Sequence, residues 1–346
     1  MARERIVTGE SISVEDESFN WSLRPSRLAD LIGQKEVVQR LRISLSAAGQ
    51  RKEPLEHVLL YGPPGLGKTT LAHIIAAEMG SKLVQTSGPA LTRPGDLMGI
   101  LTNLEEKDVL FIDEVHRLPT IVEEFMYPAM EDFCIDFTLD KGAFAKPINF
   151  ALKRFTLVGA TTRAGLLTNP LRERFGIFHH LDFYPPEEIG QILIRSAKVL
   201  GVKGDDDALF EIAKCSRGTP RIANRLLKRV RDYAQTQGDG VVDKDCAVKS
   251  LAMEGIDHQG LDILDRKYLT TLIKQYNGGP AGVEAIAASL NEESDTLVDM
   301  VEPYLLKIGF ISRTNKGRLA NGPAFNHLGM NALLKTSKGL DPQGLF

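Results

Sequence analysis

The sequence has few cysteines and no long apolar run, and each shortage excludes a class of protein. Its three cysteines, Cys134, Cys215 and Cys246, are far apart and lack the C-x-x-C spacing of zinc and redox sites. Such sparse thiols argue against a disulfide-stabilised secreted domain. No stretch approaches the roughly 20 apolar residues of a membrane helix, and residues 1–20 contain no signal-peptide run. We therefore expect a cytoplasmic protein that does not use a membrane.

An excess of positive charge is also missing. Lys and Arg together number 42 and Asp and Glu together 45, which gives a net charge of -3. A chain with this balance does not coat nucleic acid non-specifically, so any site for a polyanion must be local. Hydrophobic residues make up 43% of the sequence and aromatic residues 7%, as in ordinary globular domains. The length of 346 residues predicts two or three such domains.

The first part of the chain has the pattern of an α/β nucleotide-binding domain. Short apolar runs alternate with longer amphipathic stretches, which predicts parallel strands covered by crossover helices. The runs are Val58–Tyr61, Lys82–Gln85, Val109–Ile112 and Phe155–Gly159. The pattern stops after Tyr184, because Pro185 and Pro186 oppose strand pairing. We place the large domain at residues 1–184.

Two smaller domains are expected after it. Residues 185–256 show helical periodicity only, which predicts a small all-α domain. Residues 257–346 predict a winged-helix module, in which three helices precede a hairpin. The expected helices are Leu264–Tyr276, Gly282–Leu290 and 294–308, with a kink at Pro303, and the hairpin turns at Thr314–Gly317.

A phosphate-binding loop follows the first apolar run. Residues 62–69 fit G-x-x-x-x-G-K-[ST] and precede the helical run Thr70–Met79. A strand before the loop and a helix after it are the context that this motif requires. Lys68 is placed to reach the β- and γ-phosphates, and the Thr69 hydroxyl to ligate Mg²⁺. The sequence therefore predicts binding of a nucleoside triphosphate.

Two adjacent acids suggest that the triphosphate is hydrolysed. Asp113 ends the apolar run at residues 109–112, where it would hold the water shell of Mg²⁺. Glu114 would orient and deprotonate the attacking water. Thr161 and Thr162 follow the last apolar run, so that one hydroxyl would lie between Glu114 and the γ-phosphate. A threonine at a strand end is also common without any such role.

Together these segments resemble the AAA+ ATPases and, within them, the RuvB family of Holliday-junction branch-migration motors. The resemblance covers about residues 20–330. The segments that carry it are residues 23–25, 31–34, 62–72, 113–118, 159–167, 170–176, 218–227, 302–305, 309–311 and 313–314. It implies an AAA+ domain, a helical lid and a winged-helix head. It also implies a hexameric ring that hydrolyses ATP with Mg²⁺ on duplex arms of a junction, in recombination and repair, together with RuvA and RuvC.

The resemblance also assigns roles to residues. The implied nucleotide contacts are Leu23, Arg24, Gly65, Lys68, Thr69, Thr70, Glu131, Asp132, Phe133, Arg174, Tyr184 and Arg221. Thr162 takes the position that senses the γ-phosphate, Arg174 that of a finger acting in the neighbouring subunit, and Arg221 that of a second sensor. From its charged surroundings alone, which include Arg217 and Arg225, Arg221 is also consistent with a solvated helix charge.

The C-terminal module supplies the argument for DNA. The cations between Pro303 and Lys338 are Lys307, Arg313, Lys316, Arg318, Lys335 and Lys338, and this stretch contains no Asp or Glu. A hairpin, or wing, with such charges offers hydrogen-bond donors to DNA phosphates but does not read the base sequence. The resemblance points to Arg313 and Arg318 as DNA contacts. A solvated hairpin is the plain alternative.

One segment departs from the family pattern, and rival functions stay open. Residues 135–155 occupy the place of the hairpin that docks RuvA, yet 146–154 do not have the usual sequence there. Phe144, Ile148 and Phe150 would be apolar anchors of that interface or parts of an ordinary buried strand. A clamp-loader-like AAA+ switch is the main rival, and a protein-remodelling ATPase is the second. A GTPase is weaker because the chain has no N-K-x-D motif.

Overall fold

The computed structural model of the protein describes residues 7–8, 19, 21–138 and 147–330. The chain divides into two compact units, one formed by Ser13–Ile192 and one by Met1–Ile12 with Leu193–Phe346. The predicted anchor Phe144 and the cations Lys335 and Lys338 lie outside the described residues. No described helix is both long and apolar enough to cross a membrane.

A five-stranded parallel sheet forms the centre of the first unit. Its strands are β1 (Val58–Tyr61), β2 (Leu83–Ser87), β3 (Val109–Asp113), β6 (Thr156–Thr161) and β7 (Ile177–His180). They lie in the order β2-β3-β6-β1-β7, and every neighbouring pair is parallel. The prediction of a parallel α/β sheet is confirmed. Strand β7 was not predicted, because this edge strand reads Ile-Phe-His-His and lacks the apolar run of a central strand.

Helices and a hairpin complete this unit. The helices are α1 (Lys35–Arg51), α2 (Lys68–Met79), α3 (Pro94–Leu101), α4 (Thr120–Glu131) and α5 (Asn169–Glu173). Side chains of β3, α3 and α4 form a large buried cluster on one face of the sheet. Strands β4 (Cys134–Thr138) and β5 (Pro147–Ala151) pair antiparallel within the segment that departs from the family pattern. On β5, Phe150 has 44% of its surface exposed.

Helices dominate the chain from residue 186 to residue 253. They are α6 (Pro186–Leu200), α7 (Asp206–Cys215), α8 (Pro220–Gln237) and α9 (Lys244–Met253). The prediction that residues 185–256 contain helices only was wrong in one detail. Strands β8 (Lys203–Gly204) and β9 (Val241–Val242) form a short parallel pair between them. Two residues are too few for any period-2 pattern to show in a sequence.

The last described module has the predicted order of three helices and a hairpin. Its elements are α10 (Ile263–Lys274), α11 (Val283–Leu290), α12 (Ser294–Thr296), α13 (Glu302–Lys307), β10 (Ile311–Thr314), β11 (Gly317–Ala320) and α14 (Gly322–His327). The third predicted helix is divided, because a π-helical turn at Leu297–Val301 separates α12 from α13. Pro303, in the first turn of α13, has no N–H to give to an α-helical ladder, which accounts for the altered register. Helix α14 was not predicted.

Candidate nucleotide and DNA sites

Glycines shape the loop between β1 and α2. Gly62, Gly65 and Gly67 have φ values of 141°, 78° and 101°, in the left-handed region that favours glycine. A Cβ added to Gly62 would lie 2.3 Å from the carbonyl oxygen of Leu181, so a side chain there would displace the loop. The loop leads into the 12-residue helix α2. The N–H groups of its first turn, together with this loop, form a cradle suited to phosphate.

Lys68 bends back over the same loop. Its ammonium group donates hydrogen bonds to the carbonyl oxygens of Gly62 at 2.8 Å and Pro63 at 2.9 Å. The residue is only 7% exposed, and a buried cation favours an anionic partner. Thr69 and Thr70 follow in the first turn of α2. The structure therefore brings together four of the residues that were expected to contact phosphate and Mg²⁺, Gly65 included.

Strand β3 ends in the two adjacent carboxylates. Asp113 is its last residue, and its Oδ1 accepts a hydrogen bond from the backbone N–H of Glu114 at 3.0 Å. Glu114 has a φ of 49°, which is uncommon for a residue other than glycine. Residues held in such backbone conformations occur most often at functional sites. It precedes a 3₁₀ turn at Val115–Arg117. This conformation turns the chain out of the strand immediately after Asp113.

Thr162 and His116 both contact the Glu114 carboxylate. The Thr162 hydroxyl donates to Glu114 Oε2 at 3.3 Å, and His116 Nδ1 lies 3.1 Å from the same oxygen. His116 Nδ1 also lies 2.8 Å from Oγ1 of Thr161, the last residue of β6. Sequence reasoning did not select His116, although it lies only two residues after Glu114. That spacing was the available signal.

The surroundings of Glu114 change its proton affinity. Burial raises the pKa of the Glu114 carboxyl, and repulsion from Asp113 raises it further. Attraction to Lys68 and the hydrogen bond from Thr162 act in the opposite direction. A carboxylate with a raised pKa is a stronger proton acceptor near neutral pH. Because the charge of Lys68 acts on Glu114, we refer to these two side chains and their neighbours as the Lys68–Glu114 cluster.

Three further candidate nucleotide contacts are Leu23, Arg24 and Tyr184. The Arg24 guanidinium lies 4.7 Å from the centre of the Trp21 ring, which meets the His73 ring edge-on at 4.3 Å. His73 lies on α2, and Leu23 is buried. The Tyr184 ring is also buried, and burial raises the pKa of its hydroxyl. Its Oη lies 3.4 Å from the carbonyl oxygen of Leu66, in the phosphate loop.

Arg174 belongs to a second group of side chains. One of its guanidinium nitrogens lies 3.2 Å from Glu131 Oε1, and another donates to the Pro170 carbonyl at 2.7 Å. The guanidinium also lies 4.1 Å from the centre of the Tyr127 ring. Two residues that were expected to contact nucleotide, Arg174 and Glu131, therefore pair directly. These contacts are not with the Lys68 and Glu114 cluster.

Three further expected residues have different surroundings. Asp132 caps the C-terminus of α4, and the half-buried Phe133 ring meets the Phe155 ring edge-on at 5.8 Å. Arg221 lies in the first turn of α8, in the unit that contains Leu193–Phe346. The alternative of a solvated charge run around it is wrong for its neighbours Arg217 and Arg225, which are 3% and 4% exposed.

The wing arginines have a partner that sequence reasoning missed. Arg313 and Arg318 face each other across β10 and β11. Both bind the carboxylate of Glu302, which lies one residue before the acid-free stretch that begins at Pro303. The wing itself contains no acid, as the sequence shows, but its two arginines pair with an acid supplied by α13. The Arg313 side chain is still 45% exposed, so it can reach a further anion.

The residues at the phosphate loop fit a magnesium ion that arrives with nucleotide. Among the described residues, no group of three or more His, Cys, Asp or Glu could hold a metal on its own. Mg²⁺ in nucleotide sites needs few protein ligands, because phosphates and waters supply the rest. The Thr69 hydroxyl and the Asp113 carboxylate are oxygen donors of the kind it prefers.

Three family models match consecutive parts of the chain. Residues 23–181 match the Holliday junction DNA helicase RuvB P-loop domain, residues 184–257 the RuvB AAA lid domain, and residues 258–329 the RuvB C-terminal winged helix domain. Together they span the described α/β, helical and winged-helix parts. The match supports the AAA+ fold with a lid and a winged helix, as the sequence predicted.

Individual relatives agree with these models. The chain is 57% identical over 310 residues to the Holliday junction branch migration complex subunit RuvB of Desulfosudis oleivorans, covering 90% of each chain. It is also similar to the solved structure of the Thermotoga maritima RuvB Holliday junction branch migration motor. There the TM-score is 0.81 and the identity 50%, over 89% of this chain and 98% of the other. A variant of that protein gives a TM-score of 0.82 at the same identity and coverage.

Proposed function

Since the chain belongs to the RuvB family of Holliday junction branch-migration ATPases, we propose that it is an ATP-driven motor that moves four-way DNA junctions. The observation that carries the proposal is the presence, in one chain, of the Lys68–Glu114 cluster and a winged-helix hairpin with two arginines. The cluster would bind and hydrolyse a nucleoside triphosphate, and the hairpin would bind the phosphates of a DNA duplex. The proposed domains are residues 1–184, 185–256 and 257–346.

ATP hydrolysis is the reaction that the cluster around the phosphate loop supports. Lys68 and the first turn of α2 would bind the β- and γ-phosphates. Mg²⁺, held by Thr69 and Asp113, would neutralise phosphate charge. Glu114, with its raised pKa, would take a proton from the attacking water, and Thr162 would hold its carboxylate in position. Leu23 and Arg24 would lie on the adenine side of the nucleotide, and Tyr184 would make a further contact with it.

A hexameric ring would complete each site. We propose that Arg174 acts on ATP bound to the neighbouring subunit, where a guanidinium stabilises the charge of the transition state. Its pairing with Glu131 supports this idea, because a carboxylate and an aromatic ring hold the guanidinium in place before assembly. Asp132 and Phe133 would contact the same nucleotide. Arg221 would approach the nucleotide from the lid.

The DNA and protein partners follow from the other modules. Arg313 and Arg318 would contact duplex phosphates without reading sequence. We propose RuvA as the protein that loads the ring at a junction, with the β4–β5 hairpin as its docking element and Phe150 as an exposed anchor. RuvC would act on the junction that the motor has moved.

The decisive experiment combines ATPase and junction assays. A synthetic four-way junction should be converted into two duplexes in the presence of ATP and Mg²⁺, with RuvA increasing the rate. Particle mass measured with duplex and a slowly hydrolysed ATP analogue should correspond to six subunits. A chain that hydrolyses ATP but leaves junctions in place, with or without RuvA, would contradict the motor and reopen the clamp-loader alternative. A chain that never hydrolyses ATP would contradict both.

A further inference from the structure

A buried carboxylate lies beneath the wing. Glu302 is the first residue of α13, and its side chain is fully buried. Its Oε2 accepts hydrogen bonds from Arg313 Nε at 2.7 Å, and an Arg313 terminal nitrogen lies 2.6 Å away. Its Oε1 accepts from Arg318 Nε at 2.9 Å and from the Tyr268 hydroxyl at 3.0 Å. A terminal nitrogen of Arg318 also donates to Oε2 at 3.3 Å, so each oxygen of the carboxylate accepts hydrogen bonds from at least two side chains.

The two arginines need such a partner. Arg313 and Arg318 occupy directly opposite positions of the hairpin, where like charges repel and destabilise the pair of strands. The carboxylate of Glu302 joins both guanidinium groups and so replaces repulsion with two ion pairs. Charge-assisted bonds of this kind also fix the orientation of the planar guanidinium groups. The cluster of two arginines and one glutamate keeps one net positive charge.

Both arginines can still meet an outside anion. The Arg313 side chain is 45% exposed and the Arg318 side chain 19% exposed, whereas Glu302 has no exposed surface. A phosphate that approaches the wing therefore meets guanidinium groups whose inner nitrogens are already bonded. It must share these donors with the carboxylate or take them from it.

We propose that Glu302 is a positioning residue of the wing, which holds Arg313 and Arg318 in place for duplex phosphates and, by neutralising one of their two charges, limits how tightly each phosphate is bound. This proposal rests on the proposed DNA contact of the wing. A motor must release each phosphate that it has held, so a restrained contact suits movement along a duplex. The same carboxylate therefore sets both the geometry and the strength of the contact.

The test is DNA binding by the full chain with Glu302→Gln, which removes the charge and keeps the shape. Fluorescence anisotropy with a labelled duplex should show tighter binding than the wild type at low salt. Each additional phosphate contact steepens the plot of log affinity against log salt by about 0.9. If Glu302→Gln frees one guanidinium for one more phosphate, the ratio of its DNA affinity to that of the wild type should fall about 3.5-fold between about 50 and 200 mM salt. A purely structural role of Glu302 would not steepen the salt dependence.

Matched variants separate the possible outcomes. Tyr268→Phe removes one hydrogen bond to the same carboxylate without changing charge, so affinity and salt slope should stay at the wild-type values. Adding Arg313→Ala to Glu302→Gln should abolish the gain. Glu302→Gln with unchanged or weaker binding overturns the proposal if Arg313→Ala and Arg318→Ala each weaken binding. If the arginine variants change nothing, the DNA contact of the wing is itself wrong.

A second measurement uses the wild-type chain and does not depend on how the variant folds. The Nε–H groups of Arg313 and Arg318 donate to the buried carboxylate, so their NMR signals should exchange slowly with water before DNA is added. Addition of duplex should shift both signals, because phosphate then competes for the same guanidinium groups. Fast exchange in the DNA-free protein, or signals that do not respond to duplex, would overturn the proposal.

Discussion

Replacement of Arg217 should destabilise the protein strongly, and the structure gives the size of the effect. Its guanidinium is 3% exposed and pairs with the fully buried carboxylate of Asp265. Its Nε donates to the Gly260 carbonyl at 2.8 Å, and Asp262 lies 3.8 Å from a terminal nitrogen. Arg217→Met keeps much of the volume but leaves buried carboxylates without their cation. Breaking a buried pair in this way costs about 3 to 5 kcal/mol.

The measurement is thermal unfolding with a surface control. In a unit of this size, each kcal/mol lost from the free energy of unfolding lowers the melting temperature by about 2 to 4 °C. Arg217→Met should therefore melt about 6 to 20 °C lower than the wild type. Arg231 pairs with Asp232 at 2.8 Å near the surface, with side chains 26% and 42% exposed, and Arg231→Ala should cost less than about 1 kcal/mol. Addition of Asp265→Asn to Arg217→Met should recover part of the loss, because it removes the stranded charge. Equal shifts for Arg217→Met and Arg231→Ala would refute the reasoning.

The remaining predictions concern turnover. Glu114→Gln should bind ATP but hydrolyse it about 10² to 10⁴ times more slowly, as measured by phosphate release, and normal turnover would remove its role as base. Because the Glu114 pKa is raised, the active carboxylate should be lost as pH falls through that raised value, and kcat should decline at a higher pH than for an ordinary glutamate. A profile flat down to the ordinary range would contradict this. Arg174→Ala should lower kcat about 10³- to 10⁵-fold and should poison rings when mixed with wild-type subunits, whereas a strictly proportional loss of activity would argue against action in a neighbour.

Features set by local sequence were predicted well. The phosphate loop needs three glycines, a lysine and a following helix, all within a few residues, so its conformation can be derived from the sequence alone. The central strands β1, β3 and β6 were recognisable because burial on both faces requires continuous apolar residues. Edge strand β7 has water on one side and no such requirement, so its sequence carries a weak signal.

Pairings between distant residues could not be predicted. The basic stretch that contains Arg217 and Arg225 resembles a solvated charge run, yet both side chains are buried because their partners lie elsewhere in the chain. Arg225 donates to the carbonyl of Thr8, 217 residues away in sequence. Arg217 finds Asp265 at a separation of 48 residues. The spacing of charged residues along one helix contains no information about partners that lie in other parts of the chain.

Helix α10 contributes side chains to two buried charge clusters, one around Arg217 and one around Glu302. Asp265 binds Arg217, and Tyr268, one turn later on α10, donates to Glu302 beneath the wing arginines. Residues three apart lie on the same face of a helix, so both contacts are made from one side of α10. Arg217 is four residues before Arg221, the candidate second sensor, in the segment that leads into α8. One side of α10 therefore holds both the partner of Arg217 and a donor to Glu302, and a displacement of Arg217 away from α10 would break its ion pair with Asp265.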